Sequence, residues 1–570
     1  MRLIKSVLSW RKVMSGSTAT RMPVDAFLDM AARRGSDIAM EQPVGGGVLR
    51  EYSWSSFEDE ARRMASYLKS LNLPDKSNIG LISKNCAEWI IADLAILMAG
   101  HVSVPLYPTL TDVSVRQILE HCGAPVLFVG KLDDWEHMES GVPAGVKMIA
   151  FSLAPESAKQ KNPEWSQIIA ENSPLKDLPV RTPDELATII YTSGTTGMPK
   201  GVMQSFGNLA DIGGRMDKTY PISEGDRVIS YLPLSHVAER AAIEMSMFYV
   251  GLKVCFAESL ETFGDDLRRT RPNLFFGVPR IWSKFYQKAS EAMPPKKLNK
   301  LLRIPILNRI VKKKILTAMG LDDCRIALSG AAALSPDLID WFKSLGLEVL
   351  EVYGMTENMG WSHATPKGGQ CIGSVGIASD GVMCRIGDAG EVQVKSPGNM
   401  MGYYREPELT EEAFIDGWLR TGDVGVIDSE GRLKITGRVK EIFKTEKGKY
   451  VAPAPIENRL VSLPGVEQAC VMGPDLSQPI ALLNLAAEQE AHLRGSGKAE
   501  FHKALEELLV KVNAELDAHE RLQCLIVAQE PWTIEANLLT PTLKLKRNEL
   551  EKLYHERVAS WSNQRGVIWG

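Results

Sequence analysis

Long apolar runs are missing from this sequence. No stretch comes near the roughly 18 consecutive apolar residues of a membrane-spanning helix, and the first residues lack the uninterrupted apolar core of a signal peptide. We therefore expect a chain that is neither secreted nor anchored by a membrane span.

Paired cysteines and clustered histidines are missing as well. The eight cysteines are scattered without a CxxC pair, and the nine histidines form no group at metal-ligand spacing. The sequence therefore predicts neither a disulfide framework nor a zinc site, and it favours a reducing compartment.

Neither sign of charge is in marked excess. The formal net charge is -4 over 570 residues, of which 24% are charged and 44% hydrophobic. This composition is typical of a soluble globular protein and gives no reason to expect nucleic-acid binding. The length exceeds what one hydrophobic core supports and predicts roughly two to four structural units that bind small ligands.

A loop rich in glycine, serine and threonine lies between two apolar runs at residues 191–203, YTSGTTGMPKGVM. The apolar runs predict two strands. Glycine lets a backbone approach a ligand closely, hydroxyl groups donate hydrogen bonds, and Lys200 supplies positive charge. The loop therefore predicts a phosphate site, with an ordinary hairpin loop as the alternative. It is not a Walker A loop, because that motif places Gly-Lys-Ser/Thr at the start of a helix.

The sequence YTSGTTGMPKGV resembles the phosphate-loop signature of the adenylate-forming superfamily, which includes acyl-CoA synthetases, adenylation domains of peptide synthetases and firefly-type luciferases. The resemblance implies an ATP phosphate loop made of Thr192, Ser193, Gly194, Thr195, Thr196, Gly197 and Lys200. Six further segments match in the expected order: YLPLSHVAER (231–240), LSGAAAL (328–334), EVYGMTEN (351–358), WLRTGDV (418–424), GRVK (437–440) and LTPTLKLKR (539–547). Each segment alone is also typical of a turn or a core position, so their joint order carries the inference.

Three of these segments imply residues around the reacting groups. His236 would lie where the acyl carboxylate meets the nucleotide. Thr356 would contact phosphate and Glu357 would hold Mg²⁺, an ion that prefers carboxylate and phosphate oxygens. The implied adenine and acyl pocket consists of Gly330, Ala331, Ala332, Tyr353 and Gly354.

Two further segments imply a ribose site and a hinge. Asp423 would accept hydrogen bonds from both ribose hydroxyls, and Arg438 would be directed to the ribose. Lys440 stands at the hinge position between a large and a small domain.

The last segment implies the catalytic lysine. We assign Lys544 and keep Lys546 as the alternative, because Leu543 stands where many members of the superfamily have glycine.

The order of predicted elements indicates an α/β protein. Strands and helices alternate before and after the phosphate loop, which predicts parallel sheets covered by helices. Short β-like runs at 373–395 predict a small barrel, and the chain beyond 433–451 predicts a compact α+β region. Ser55, with Glu58 three residues later, predicts the start of a helix at 55–71. The polar segment at 156–179 predicts a surface connection. We expect an N-terminal AMP-binding domain, residues 1–437, of two doubly wound α/β subdomains plus a small β-barrel. A small mobile α+β C-terminal domain, residues 438–570, would carry the catalytic lysine.

The resemblance implies an AMP-forming acid–thiol ligase with ATP, coenzyme A and Mg²⁺. A carboxylate would attack ATP to give acyl-adenylate and pyrophosphate, and coenzyme A would then displace AMP. The segments at 431–453 and 539–547 resemble long-chain fatty acid activators most. Two alternatives stay open: delivery of the acyl group to a carrier protein, and a non-catalytic lipid-binding scaffold.

Two segments could contact a membrane. The first starts at Met1 and ends at Met14, with apolar residues along one helical stripe, and its alternative is a terminal helix packed on the body. The second starts at Ala292 and ends at Gly320 and carries eight Lys or Arg and no acid. Its alternatives are attraction of coenzyme A phosphates and a solvated helical face. We expect a cytoplasmic protein, with peripheral contact to the inner face of a membrane left open.

Overall fold

The computed structural model describes residues 21–192, 198–486, 489–490, 493, 497–534, 536–540 and 543–570. The predicted helix at residues 1–14 lies outside them. So do five residues predicted for the phosphate loop: Ser193, Gly194, Thr195, Thr196 and Gly197.

Helices and strands alternate along most of the described chain. The α-helices are Pro23–Arg34, Trp54–Ser70, Ala87–Met98, Asp112–Cys122, Trp135–Glu139, Glu156–Lys161, Trp165–Glu171, Phe206–Gly213, Met216–Thr219, Val237–Glu239, Ser246–Val250, Phe263–Thr270, Pro279–Ala292, Pro295–Leu302, Pro305–Met319, Pro336–Leu345, Pro407–Glu412, Pro453–Leu460, Lys498–Ala514 and Arg547–Trp561. A π-helix spans Arg240–Met245, and 3₁₀ turns span Thr356–Asn358 and Asp388–Gly390. Each helix in the described part of the chain is too short or too polar to span a bilayer.

The strands are β1 (Ile38–Pro43), β2 (Leu49–Ser53), β3 (Asn78–Ile82), β4 (Val102–Leu106), β5 (Val126–Val129), β6 (Lys147–Ala150), β7 (Leu186–Thr192), β8 (Lys200–Ser205), β9 (Arg227–Ser230), β10 (Lys253–Phe256), β11 (Leu274–Gly277), β12 (Ile326–Ser329), β13 (Val349–Tyr353), β14 (His363–Ala364), β15 (Ile377–Ala378), β16 (Met383–Ile386), β17 (Glu391–Lys395), β18 (Gly402–Tyr403), β19 (Phe414–Ile415), β20 (Trp418–Ile427), β21 (Leu433–Arg438), β22 (Phe443–Lys444), β23 (Tyr450–Val451), β24 (Val466–Met472), β25 (Ile480–Leu485), β26 (Cys524–Val527) and β27 (Gly566–Trp569).

The largest sheet has the order β18-β8-β7-β4-β3-β5-β6. Strands β3 to β6 run parallel, as the predicted β-α alternation requires. Every residue of β4 and of the helix Ala87–Met98 is buried, because both are largely apolar and are covered by other layers. At the other side of the sheet, β7 and β8 form the antiparallel pair that flanks the predicted phosphate loop.

A second sheet joins distant parts of the chain in the order β2-β1-β10-β9. Strand β1 pairs in parallel with β10, with Met40 opposite Val254. Alternation along the sequence suggests two consecutive units, whereas the structure interleaves them. Sequence alone does not choose this pairing, since apolar strands of similar length are interchangeable partners.

The third sheet holds strands that follow β10 in the chain. Its order is β11-β12-β13-β14-β15, with β11, β12 and β13 parallel. The helices Pro279–Ala292 and Pro336–Leu345 pack on it through Trp282 and Phe342, whose ring centroids are 4.8 Å apart. The predicted small barrel is an antiparallel sheet, β16-β17-β20-β19, with β21 beside β20.

The C-terminal region is α+β, as predicted. Its sheet has the order β24-β25-β26-β27, and apolar clusters cover both faces. One cluster includes Leu505 of the helix Lys498–Ala514, and the other includes Tyr554 of the helix Arg547–Trp561.

Two local predictions are wrong. The helix Trp54–Ser70 is capped by Ser53, whose hydroxyl accepts from the Ser56 amide at 3.1 Å, rather than by Ser55. Residues 156–179 are more than a surface connection, because they contain two short helices. Trp165 of the second helix is buried and donates to the Glu60 carboxylate at 3.0 Å, which gives this polar segment an anchor.

Candidate active site

Three predicted nucleotide-binding residues meet where β13 ends beside the antiparallel pair β20 and β21. Asp423 and Arg438 lie directly opposite each other in the strand register. The Arg438 Nε atom lies 2.9 Å from Asp423 Oδ1, and the Tyr353 hydroxyl donates to Asp423 Oδ2 at 2.6 Å. Asp423 is buried while Arg438 is exposed, so this carboxylate is held in a fixed orientation at the edge of the site.

A second group links the phosphate-loop lysine to the predicted metal residue. Tyr403 of β18 donates to Glu357 Oε1 at 2.9 Å, and Lys200 Nζ lies 5.4 Å from the centroid of the Tyr403 ring. The Thr356 carbonyl accepts from Gln204 at 2.7 Å. Pairing of β18 with β8 brings these residues together, and sequence reasoning missed Tyr403 because no motif marks it.

The surroundings of Glu357 fit Mg²⁺ better than a transition metal. No group of three or more His, Cys, Asp or Glu in the described part of the chain could hold a metal ion. An ion bound at Glu357 would therefore need further ligands from phosphate or water, which is the coordination that Mg²⁺ prefers.

Gly354 is required by close backbone packing. A Cβ atom at this position would lie 2.2 Å from the Gly360 carbonyl carbon, far inside van der Waals contact. The turn that follows has positive φ angles at Met359 (57°) and Gly360 (74°). This crowded turn fixes the path of the chain around Thr356 and Glu357.

The predicted pocket residues Gly330, Ala331 and Ala332 follow the carboxyl end of β12. Ala331 has φ 68°, in the left-handed region that non-glycine residues seldom occupy. The Glu351 carboxylate accepts from the Leu334 amide at 3.2 Å and thereby anchors the turn. Burial raises the pKa of Glu351 to about 7, and sequence reasoning missed this residue.

His236 stands at the start of the short helix Val237–Glu239. Its Nδ1 atom accepts from the Ala238 amide at 3.2 Å, which leaves the proton of the neutral ring on Nε2. Burial, and then the charge of Lys544, lower the pKa of His236 to about 4. The ring is therefore neutral at physiological pH and can donate one hydrogen bond.

Two buried polar residues fix the segment that carries His236. Asn85 donates to the Leu232 carbonyl at 2.6 Å and accepts from the Leu234 amide at 3.0 Å. Glu239 accepts from the Tyr231 amide at 3.1 Å, and burial raises its pKa to about 8. Sequence reasoning missed both: the partners of Asn85 lie in a distant segment, and Glu239 lies within the motif at 231–240 but bonds to its backbone rather than facing a ligand.

Lys544 reaches the same site from the C-terminal region. Loss of water around its ammonium group, and then the charge of Arg438, lower the pKa of Lys544, whereas the carboxylates of Asp423 and Glu357 raise it. Lys546 instead bonds to the Asn537 side chain. Of the two candidate lysines, Lys544 is the one that lies among the predicted nucleotide-binding residues.

The loop before Lys544 is strained at the position where the superfamily has glycine. Leu543 has φ 60°, and its amide donates to the Thr540 carbonyl at 2.8 Å. The Thr540 hydroxyl also accepts from the Lys544 amide at 3.0 Å. Leu543, which replaces the glycine found in many members of the superfamily, therefore adopts a backbone conformation that favours glycine.

The predicted hinge residue Lys440 lies in the exposed turn after β21. The amides of Glu441 and Ile442 both donate to the Arg438 carbonyl, at 3.0 and 3.1 Å. Of the predicted phosphate-loop residues, Thr192 and Lys200 lie opposite each other at the ends of β7 and β8.

Known protein families match nearly the whole chain. A family described as AMP-binding enzyme matches residues 27–404, and one described as AMP-binding enzyme C-terminal domain matches residues 441–564. A long-chain-fatty-acid–CoA ligase of Mycobacterium bovis is 31% identical over 92% of this chain and 94% of its own length. Long chain acyl-CoA synthetase 6 (peroxisomal) of Arabidopsis thaliana is 30% identical over 91% of this chain and 83% of its own length. Long-chain-fatty-acid–CoA ligase 5 of Mus musculus is 31% identical over 89% of this chain and 84% of its own length.

Solved structures share the fold. The adenylation domain of a carboxylate reductase from Mycobacterium chelonae has a TM-score of 0.82 at 23% identity, covering 99% of this chain and 93% of that one. An anthranilate CoA ligase in complex with anthranoyl-AMP has a TM-score of 0.78 at 20% identity, and the match covers 95% of this chain and 98% of that one. The family match over more than half of the sequence and relatives at 31% identity over nine-tenths of it lead to one conclusion: the chain belongs to the AMP-binding enzymes of the adenylate-forming superfamily.

Proposed function

We propose that this enzyme activates a long-chain fatty acid with ATP and transfers the acyl group to coenzyme A. The observation that carries the proposal is the meeting of Lys544, from the C-terminal region, with Asp423, Arg438, Glu357 and His236. Such a set combines a ribose anchor, a carboxylate for a metal and two hydrogen-bond donors for an anionic reaction centre.

The first half-reaction needs no general base. A fatty acid has a carboxyl pKa near roughly 4 to 5 and is ionised at neutral pH, so the enzyme has to position charges. The carboxylate attacks the α-phosphorus of ATP, and pyrophosphate leaves. Neutral His236 would donate to the carboxylate, while Lys544 and Lys200 would stabilise charge on the phosphates.

Glu357 and phosphate oxygens would hold Mg²⁺. The ion would neutralise charge on the phosphates of ATP when bound. The bond from Tyr403 leaves the second carboxylate oxygen of Glu357 available for this role. Thr356 would contact phosphate from the same turn.

The second half-reaction would use the same site after a domain rotation. We propose residues 1–437 as the AMP-binding domain and 438–570 as the mobile domain, with Lys440 as the hinge. Rotation would withdraw Lys544 and admit the thiol of coenzyme A, which attacks the acyl carbon and releases AMP. The two family matches, which end at residue 404 and begin at residue 441, support this division.

The acyl group and the acceptor are the finer parts of the proposal. The known relatives are named for long-chain fatty acids and coenzyme A, and they match over most of the chain. Each buried methylene contributes about 0.8 kcal/mol, so a longer chain binds roughly fourfold more tightly per carbon in a fitting pocket. A carrier-protein acceptor is the second candidate, because the fold neighbours include an adenylation domain fused to a carrier domain.

We also propose that the enzyme acts in the cytoplasm at the inner face of a membrane. Long-chain fatty acids partition into bilayers, and the basic segment at 292–320 supplies positive charge that anionic lipids attract.

The test is mass spectrometry of products from the full-length protein with Mg-ATP and a carboxylate mixture from acetate to oleate with aryl acids. We expect long-chain acyl-CoA when coenzyme A is present. Acyl-adenylate as the sole product would favour a carrier-protein acceptor. A short-chain or aryl thioester would overturn the chain-length proposal, and no product at all would favour the scaffold alternative.

A further inference from the structure

A pair of helices, Pro295–Leu302 and Pro305–Met319, forms what we call the basic hairpin. The second helix is 15 residues long and has no buried residue. Only Leu316 and Met319 near its end pack partly against the apolar core. Most of the second helix is therefore open to solvent in the described chain.

Large apolar side chains are exposed at the turn of the hairpin. The exposed fractions are 46% for Ile304, 78% for Ile306, 39% for Leu307 and 59% for Ile310. Ile306 and Ile310 are four residues apart and share one face of the helix. Four neighbouring apolar side chains in water are unfavourable, and such patches mark contact surfaces.

Unpaired basic residues surround this apolar turn. The segment 292–320 has eight Lys or Arg and no Asp or Glu. None of the seven basic side chains that the structure describes there forms an ion pair with another described residue. Lys313 and Lys314 are exposed and follow Ile310 by three and four residues. They therefore lie on the same side of the helix as Ile306 and Ile310, one turn further along.

We propose that the basic hairpin docks the enzyme on an anionic lipid bilayer. Ile306 and Ile310 would enter the interface, and Lys313 and Lys314 would face the lipid headgroups. A helix with exposed apolar residues and adjoining cations is the form that binds bilayer interfaces. Phosphates of a soluble ligand would pair with the lysines and leave the isoleucines in water.

The place of the hairpin in the chain suits delivery of a fatty acid. It is inserted between β11 and β12, which are neighbouring parallel strands. Residues Gly330 to Ala332 of the proposed pocket follow β12 directly. Delivery of a fatty acid to this pocket rests on the proposed function. Binding of the hairpin to lipid requires no catalysis and is tested separately.

The test is flotation of the full-length protein with vesicles of phosphatidylcholine, with and without phosphatidylglycerol. One variant carries Ile306→Ser with Ile310→Ser, and another carries Lys313→Gln with Lys314→Gln. Matched controls are Leu260→Ser, at a residue 82% exposed elsewhere, and Lys503→Gln, at a side chain 76% exposed. Acyl-CoA formation from palmitate supplied on serum albumin, without vesicles, is measured for every protein.

We expect the wild type and both controls to bind anionic vesicles and to bind less in high salt. Each hairpin variant should bind roughly tenfold less while its activity on albumin-bound palmitate stays near wild type. Absence of palmitoyl-CoA formation by the wild type would contradict the proposed function and would leave the vesicle-binding result standing. The docking proposal is wrong if the wild type does not bind vesicles, or if the hairpin variants bind as the wild type does.

Discussion

Leu543 determines the backbone conformation from which Lys544 reaches the nucleotide site. Its φ of 60° costs a leucine on the order of 1 kcal/mol, because the Cβ atom crowds the carbonyl that follows. Glycine has no such cost, and a β-branched residue has a larger one.

We expect Leu543→Gly to keep the rate of adenylation within about threefold of wild type, since the loop conformation is preserved. Leu543→Val should lower this rate by at least roughly tenfold, because valine resists a positive φ. Pyrophosphate release without coenzyme A measures both. Equal rates for the two variants would show that the loop geometry does not control the lysine.

Alanine variants of Lys544 and Lys546 test which lysine serves adenylation and whether it also serves transfer to coenzyme A. Lys544→Ala should slow adenylation by roughly a hundred- to a thousandfold, because a cation that stabilises the transferring phosphate is lost. Formation of acyl-CoA from supplied acyl-adenylate should persist. Lys546→Ala is the matched control, since Lys546 bonds to Asn537 away from the site. A larger adenylation defect in Lys546→Ala, or equal loss of both half-reactions in Lys544→Ala, would refute the assignment.

Glu239 makes stability depend on pH. Burial raises its pKa from 4.5 to about 8, so the folded state binds a proton that the unfolded state releases. This stabilisation is complete below the unfolded pKa and is lost as the pH rises toward 8, by at most about 1.4 kcal/mol per pH unit.

We expect Glu239→Gln to reduce the fall in unfolding free energy between pH 5 and pH 9, because glutamine does not titrate. Urea unfolding across this range measures it, with Glu500→Gln on the exposed surface as the control. Parallel pH curves for the wild type and Glu239→Gln would contradict a buried, protonated Glu239.

Sequence motifs predicted residues that the structure brings together, but not the residues that hold them in place. Lys544, Asp423 and Arg438 belong to segments with recognisable spacing, and the structure brings them together. Tyr403 and Asn85 have no such signal, because each acts through contacts with a distant segment. Those contacts depend on strand pairing, which a single sequence does not specify.

At the scale of elements, the turn after β21 connects the two halves of the site. Arg438 at the end of β21 is paired with Asp423, and Lys440 follows two residues later. The rotation that we propose for Lys544 would change backbone angles in this turn while Asp423 and Arg438 stay paired.

We expect Lys440→Pro to slow transfer to coenzyme A more than adenylation, because proline fixes φ and restricts the preceding residue. Lys440→Ala, which keeps backbone freedom, should leave both steps near wild type. Rapid-quench measurement of the two half-reactions separates them. Equal slowing of both steps in Lys440→Pro would argue against a hinge at this residue.

Helices and strands with a clear periodic pattern of apolar residues were the ones that the sequence predicted. The parallel strands β3, β4 and β5 were predicted because apolar strands alternate with helices of clear pattern. The helices in 156–179 were missed because their polar composition resembles a loop, and the burial of Trp165 is a tertiary effect. The pairing of β1 with β10 has no local signal at all.

At the scale of the whole molecule, the structure holds its C-terminal region against the site. Arg280 of the second α/β unit pairs with Glu467, and Asp337 pairs with Lys511 at 3.0 Å. These pairs are partly or largely exposed, and such pairs contribute roughly 0 to 1 kcal/mol each. Contacts this weak would permit the domain rotation that we propose for the second half-reaction.

The central claim is that the carboxylate attacks the α-phosphorus of ATP. The most direct test uses palmitate labelled with ¹⁸O in its carboxylate, Mg-ATP and coenzyme A, followed by mass spectrometry of the nucleotide products. We predict that the AMP carries one ¹⁸O atom from the acid and that pyrophosphate carries none. Label in inorganic phosphate together with ADP would mean an acyl phosphate intermediate, and would contradict the account.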